Sequence, residues 1–182
     1  MEFFRVIKGY DHLWSVKCPN EDIDELTSLF RKWSDGNYLL DFFENNIEDL
    51  EKYFNVNKIS QAIKDTLEDA SELERMILHI PESKQLDGFF RPLSQDDIRI
   101  TEMTREKARY WNRSRHASWL RIYAIRLEEG VFVVTGGAIK LTPTMQARPH
   151  TQEELIKMNK CRDYLKGSGV FDQDSFIDYI NE

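Results

Sequence analysis

The sequence predicts an α+β protein folded as a single domain over residues 1–182, and three observations support this prediction. The length of 182 residues matches one ordinary domain. Apolar residues recur with helical spacing over most of residues 21–79, whereas residues 119–141 show two-residue alternation and continuous apolar runs. The hydrophobic fraction is 41% and the charged fraction is 31%, which is typical of a globular domain. We expect an N-terminal hairpin and acidic helices, followed by a small antiparallel sheet capped by a C-terminal helix.

The first half of the chain contains one predicted hairpin and three predicted helices. Aromatic and β-branched residues predict strands at 3–7 and 13–16, joined by turn residues that include Gly9. Asn20 is a plausible helix N-cap, because acidic residues fill the turn that follows it. That first helix is broken at Asp35-Gly36-Asn37, and two further helices are predicted at about 39–54 and 59–79.

The second half changes from helical to strand-like patterns. The predicted elements are a linker at 81–88, an extended segment at 89–93, a short helix at 99–110, a strand at 119–127 and a return strand at 131–141. Gly136 and Gly137 interrupt the return strand and indicate a bulge or a close backbone approach.

The chain is predicted to end in two helices. Thr151 and Glu154 have capping-box spacing at the start of a helix that Gly167 can end, and residues 173–180 form a second, shorter helix.

The net charge of −7 is an average over two unlike parts of the chain. Residues 1–85, which we interpret as an acidic and mainly helical elaboration, carry 10 basic and 18 acidic residues, a net charge of −8. Residues 86–182, which hold the sheet and the C-terminal helices, carry 15 basic and 14 acidic residues, a net charge of +1. Residues 105–126 alone hold seven basic residues and one acid. This asymmetry favours an anionic ligand at the second part, although a solvated surface is the commoner meaning of a basic run.

Several classes of function lack their sequence signals. No apolar stretch approaches 18 residues and no secretory signal is evident, so we expect neither a membrane span nor export. Cys18 and Cys161 lie far apart, which favours free thiols and a cytoplasmic location. There is no phosphate-binding loop, dinucleotide fingerprint or metal-ligand spacing, so we expect no cofactor and no metal.

Basic and histidine side chains are expected to converge near the second-half sheet. In an antiparallel hairpin, the start of the first strand and the end of the second lie at the same end of the sheet. The loops on either side of the hairpin should therefore meet. The residues concerned are Arg113, Arg115, His116, Arg121, Lys140, Arg148 and His150. Such a cluster suits metal-independent phosphodiester cleavage, in which cations neutralise the phosphate and a histidine transfers protons. Simple anion binding and ordinary structural roles explain the same residues.

A family resemblance covers residues of about 86–166. The strand Trp119 to Leu127, the Glu-Glu-Gly turn, and the strand that ends Gly-Gly-Ala-Ile-Lys-Leu-Thr resemble the RelE/HigB branch of the RelE/ParE toxin superfamily. A proline-containing loop and a helix follow, as in that family. The upstream residues Phe90 to Leu93 also resemble the segment that precedes the family's sheet.

The resemblance implies an mRNA endoribonuclease of a toxin–antitoxin system, acting at the ribosome, neutralised by an antitoxin protein, and independent of metal. Arg121 matches the family's strand arginine, Lys140 the first lysine of its Lys-Lys-Thr sequence, and Thr142 the threonine. Leu141 replaces the second lysine and so removes one phosphate contact. On this basis Arg121, Lys140 and His150 are candidate catalytic residues. The candidate RNA-binding residues are Arg113, Arg115, His116, Thr142 and Arg148.

The sequence leaves alternatives open. The chain is longer and more acidic than typical family members, and its acidic region has three interpretations. It is an elaborated form of the family's helices, a built-in cover for the basic face, or a replacement for the activity. A non-catalytic protein-binding module of the same fold is a second hypothesis. A third is a cytosolic protein of unrelated function whose strand pattern resembles the family by chance.

Overall fold

A computed structural model describes residues 1–80, 86–93, 103–108, 117–127 and 130–182. The strands are β1 (Glu2–Ile7), β2 (Tyr10–Lys17), β3 (Phe90–Pro92), β4 (Met103–Ala108), β5 (Leu120–Leu127) and β6 (Phe132–Ile139). The helices are α1 (Glu25–Trp33), α2 (Gly36–Asn45), α3 (Ile47–Phe54), α4 (Ile59–Leu78), α5 (Leu86–Phe89), α6 (Pro149–Gly167) and α7 (Gln173–Asn181). A 3-10 turn at Met145–Ala147 precedes α6. The predicted α+β class is confirmed.

The strands form one mixed sheet in the order β1-β2-β6-β5-β4-β3. Neighbouring strands are antiparallel except β2 and β6, which pair in parallel from Leu13↔Phe132 to Ser15↔Val134. The sheet is therefore larger than the small antiparallel sheet that we expected, because the N-terminal hairpin extends it. All eight residues of β6 are buried, and such an interior strand needs a partner on each side.

Helices cover both faces of the sheet. Helices α1 to α4 enclose one core with β5 residues such as Leu120 and Ile122. Helices α6 and α7 enclose the other with Tyr123 and Ile125. Leu120 and Ile122 thus lie on the opposite face from Tyr123 and Ile125, as the two-residue alternation of a strand requires. Trp119 is fully buried in the first core, and its indole N–H donates to the Thr66 hydroxyl over 2.9 Å.

Two details of the N-terminal helices differ from expectation. Asp24, not Asn20, is the N-cap of α1 and accepts from the Thr27 backbone N–H at 3.2 Å. The helix begins at this point because its first turn docks on β2, where the Leu26 backbone N–H donates to the Ser15 hydroxyl. The expected single helix 39–54 is divided into α2 and α3 at Asn46. The Asn46 side chain donates to the Phe42 carbonyl over 2.8 Å, a local bond that competes with helix continuation.

The prediction of a helix at 99–110 is wrong for the residues of this range that the structure describes. Residues 103–108 form β4, which pairs with β5 from Met103↔Leu127 to Ala108↔Ile122 and with β3 on its other side. Pairing on both sides outweighs the local helical pattern. Residues 99–102, 109–110 and most of the expected linker lie outside the described residues, as do two residues of the β5–β6 turn. The end of that linker is the single helical turn α5.

The start of α6 also needs a correction. Arg148 is the N-cap and Pro149 the first helical residue, so Thr151 lies inside the first turn. The Thr151 hydroxyl donates to the Arg148 carbonyl over 3.0 Å and also to the Met145 carbonyl, so it does not form the expected capping box with Glu154. The double glycine in β6 behaves as predicted. The pairing register shifts between Tyr123 and Ala124, which marks a bulge, although the strand runs through without the expected break.

Candidate functional site

The candidate site lies where β5 begins and β6 ends. Arg121 pairs with Ala138, and the Lys140 backbone N–H donates to the Trp119 carbonyl over 2.8 Å. Directly opposed residues of an antiparallel pair point to the same face, and so do residues two apart on one strand. Arg121 and Lys140 therefore share one face of the sheet at this end, as the hairpin argument predicts.

Backbone carbonyl groups hold both of these cations. The Arg121 guanidinium donates through Nη1 to the Ser118 carbonyl at 2.6 Å and to the Leu120 carbonyl at 2.7 Å. The Lys140 ammonium donates to the carbonyls of Thr142 and Pro143, each at 2.6 Å. These bonds fix the positions of the cations at this end of the sheet. Both side chains are half-buried.

His150 lies in the first turn of α6, against the end of β6. Its Nε2 is 3.0 Å from the Ile139 carbonyl, which can only accept, so the nitrogen donates. In the neutral ring the other nitrogen, Nδ1, is then the acceptor. The ring also meets Phe42 of α2 edge to face, with centroids 5.2 Å apart. The third candidate catalytic residue therefore reaches the same end of the sheet as Arg121 and Lys140.

The two remaining described candidates have different surroundings. Thr142 is 6% exposed, and its hydroxyl donates to the Thr144 carbonyl over 3.1 Å, so it shapes the loop. Arg148 forms a two-pronged ion pair with Asp49 of α3. The hydrogen bond and the charge of Asp49 raise the pKa of Arg148. Arg113, Arg115 and His116 lie outside the described residues.

The sequence analysis missed a half-buried charged cluster near this site. In what we call the Lys157 cluster, the Lys157 ammonium lies 2.7 Å from Glu25 of α1 and 2.9 Å from Glu154 of α6. Burial raises the pKa of Glu154. Burial alone would lower the pKa of Lys157, but the two carboxylates raise it. The cluster therefore links helices from the two halves of the chain.

Gly136 makes room for this cluster. A side chain at this position would collide with the Glu154 carboxylate and come within 2.8 Å of the Lys157 ammonium. The double glycine was thus a real signal of close approach, but it did not reveal which groups approach. Tyr123, one strand away, is 1% exposed, and its hydroxyl has no hydrogen-bond partner among the described residues.

A separate groove lies between β1, α1 and α4, away from the candidate site. Its volume is about 390 Å³. Its walls are mainly apolar, with charged residues from α1 and α4. The lining residues are Val6, Leu26, Thr27, Phe30, Arg31, Ser34, Glu74, Ile77 and Leu78.

Comparisons with known proteins add no relative. No protein-family model matches the chain, and no curated protein or solved structure shows significant similarity to it. Within the described ranges, no group of three or more His, Cys, Asp or Glu side chains is arranged to hold a metal ion. None of the described helices combines the length and apolar character needed to cross a membrane.

Proposed function

We propose that the protein is a toxin–antitoxin-related ribonuclease that resembles the RelE/HigB enzymes and cuts mRNA without a metal cofactor. The observation that carries the proposal is the placement of Arg121, Lys140 and His150 at one end of the β5–β6 hairpin. Two cations and an imidazole are groups that metal-independent phosphodiester cleavage can use. The resemblance of residues 86–166 to that family gives the substrate class.

The chemistry follows from the groups present. A ribose 2′-hydroxyl attacks the adjacent phosphorus while the Nδ1 of neutral His150 accepts its proton. The bond from phosphorus to the 5′-oxygen breaks, and this oxygen leaves with a proton supplied by the resulting imidazolium or by solvent. Arg121 and Lys140 stabilise the negative charge that develops on the phosphate. The products are a 2′,3′-cyclic phosphate and a 5′-hydroxyl.

The replacement of the family's second lysine reduces the cationic surface. Leu141 is 4% exposed and packs in the core with α1 to α4, so its side chain offers nothing to a phosphate. We therefore expect the phosphate to be held mainly by Lys140 and Arg121, with help from Arg148.

A second candidate function is a non-catalytic protein-binding module of the same fold. The observation that favours it is an acidic surface on α2 and α3 that also exposes large apolar side chains. Tyr38, Leu40 and Tyr53 are 37%, 42% and 41% exposed. Apolar groups within a charged surface are typical of protein interfaces. An antitoxin is the partner that the first proposal implies, and this surface is where we expect it to bind.

Inducible expression in a bacterial host separates the two functions. We expect the wild-type chain to arrest growth and to cut reporter mRNA in the presence of ribosomes. Arg121→Ala and Lys140→Ala should each restore growth. Lys160→Ala, which removes an exposed lysine from α6, is the matched control and should remain toxic. Circular dichroism must show that all variants fold. A harmless wild-type chain that leaves mRNA intact would refute the ribonuclease and favour the protein-binding module.

A further inference from the structure

One ion pair joins the acidic half of the chain to the loop before α6. Arg148 Nε donates to Asp49 Oδ2 over 2.6 Å, and Nη2 donates to Oδ1 over 2.7 Å. The two residues are 99 positions apart in the sequence. The Asp49 side chain is 7% exposed, whereas that of Arg148 is 45% exposed. A carboxylate fixed inside the protein thus holds a guanidinium that reaches the surface.

This pairing has the geometry of phosphate recognition. A carboxylate and a phosphate each present two oxygens that match the parallel N–H groups of a guanidinium. Asp49 therefore occupies the position on Arg148 that a phosphate oxygen pair would take. Glu48 adds negative charge near the same guanidinium. An incoming anion must therefore displace Asp49 from Arg148, and the charge of Glu48 repels it.

A second contact from the same helices touches the candidate site. Phe42 of α2 packs edge to face on His150, with the ring planes at 89°. Helix α3 follows α2 after a single residue, Asn46, so Phe42 and Asp49 lie on two consecutive helices. These two helices contact two of the five described candidate residues, Arg148 and His150.

We propose that α2 and α3 form an internal cover for the RNA site, in which Asp49 takes the place of an RNA phosphate on Arg148. The inference rests on the proposed function, because it requires RNA to bind at this loop. RNA binding then exchanges the Asp49 carboxylate for a backbone phosphate, and the cover weakens binding until that exchange occurs. The acidic elaboration thereby restrains the site within the same chain.

Removal of the Asp49 charge should strengthen RNA binding. We expect Asp49→Asn in the full chain to bind a single-stranded RNA oligonucleotide about tenfold more tightly, the usual order of effect for one charged hydrogen-bonding contact. Asp41→Asn removes an exposed acid from α2 and controls for the change in net charge.

A readout without RNA reports on the ion pair itself. An arginine-selective dicarbonyl reagent, with modified sites mapped by mass spectrometry, should label Arg148 slowly in the wild type and in Asp41→Asn. It should label Arg148 several-fold faster in Asp49→Asn. If Asp49→Asn fails to fold, Asp49→Glu keeps the charge but moves the carboxylate, and it should show smaller changes in the same directions.

The outcomes distinguish the cover from the ribonuclease proposal. Tighter RNA binding and faster Arg148 labelling in Asp49→Asn alone support the cover. Equal RNA affinity in the wild type and Asp49→Asn, with binding in both, overturns the cover and leaves the proposed function standing. Rapid labelling of Arg148 in the wild type also overturns the cover. The absence of RNA binding in every folded variant refutes the RNA site, and the cover with it.

Discussion

Gly137 lies where β6 has no room for a side chain, and its replacement tests how β6 packs beneath the site. An alanine Cβ would collide with the Arg121 backbone carbonyl and come within 2.8 Å of the Leu29 methyl carbon Cδ1. The leucine can adjust, but a paired backbone carbonyl cannot move without displacing the strand. Overpacking of a core costs about 1 to 3 kcal/mol, and we expect Gly137→Ala to lie near the upper value.

Urea denaturation gives the free energy of unfolding for this comparison. We expect Gly137→Ala to lose about 3 kcal/mol with an unchanged denaturant slope, and to melt about 8 °C lower than the wild type. Gly167→Ala is the matched control, because no atom outside its own helix backbone lies within 4 Å of its added Cβ and Gly167 is the last residue of α6. That control should be neutral or stabilising by about 0.5 kcal/mol. If Gly137→Ala is as stable as the wild type, the Arg121 carbonyl does not lie against Gly137 and the pairing of Arg121 with β6 is wrong.

Two other predictions concern charge. Burial alone would raise the pKa of Asp24 above its ordinary 3.8, but hydrogen bonds from Ser15 and Thr27 lower it. Asp24→Ala should therefore cost about 1 kcal/mol above pH 4, and the difference from the wild type should vanish as acid titrates the wild-type carboxylate. Lys157→Met removes the cation of the Lys157 cluster and leaves two buried carboxylates, so we expect a loss of about 2 kcal/mol at pH 7. In denaturation at pH 4 this loss should shrink, because burial raises the pKa of Glu154 and this carboxylate then takes up a proton. An equal loss at both pH values would contradict the burial of Glu154.

The parts of the fold that the sequence predicted depend on local signals. Strand β5 and helix α4 have unambiguous periodicity, and Gly136-Gly137 marked the bulge. The errors occur where distant contacts decide the structure. Residues 103–108 become a strand because β3 and β5 lie on either side. The parallel pairing of β2 with β6 joins segments over 100 residues apart, and no local pattern encodes such a choice.

In the candidate site, too, local geometry could be predicted from the sequence and distant contacts could not. The placement of Arg121, Lys140 and His150 at one end of the sheet followed from hairpin geometry, because strand ends are fixed by the turn between them. The partner of Arg148 could not be predicted from the sequence. Asp49 was one of 18 acids in the first 85 residues, and only the packing of α3 against the loop before α6 selects it. Likewise, the glycine pair revealed a close approach without naming Glu154.

The chemistry of the cut RNA end tests the central proposal most directly. A translated reporter mRNA should be incubated with the purified chain and ribosomes, and the 5′ end of the downstream fragment analysed. Attack by the 2′-hydroxyl predicts a 5′-hydroxyl end with the wild type and no fragment with Lys140→Ala. An intact mRNA, or a downstream fragment that carries a 5′-phosphate, would contradict the proposed function.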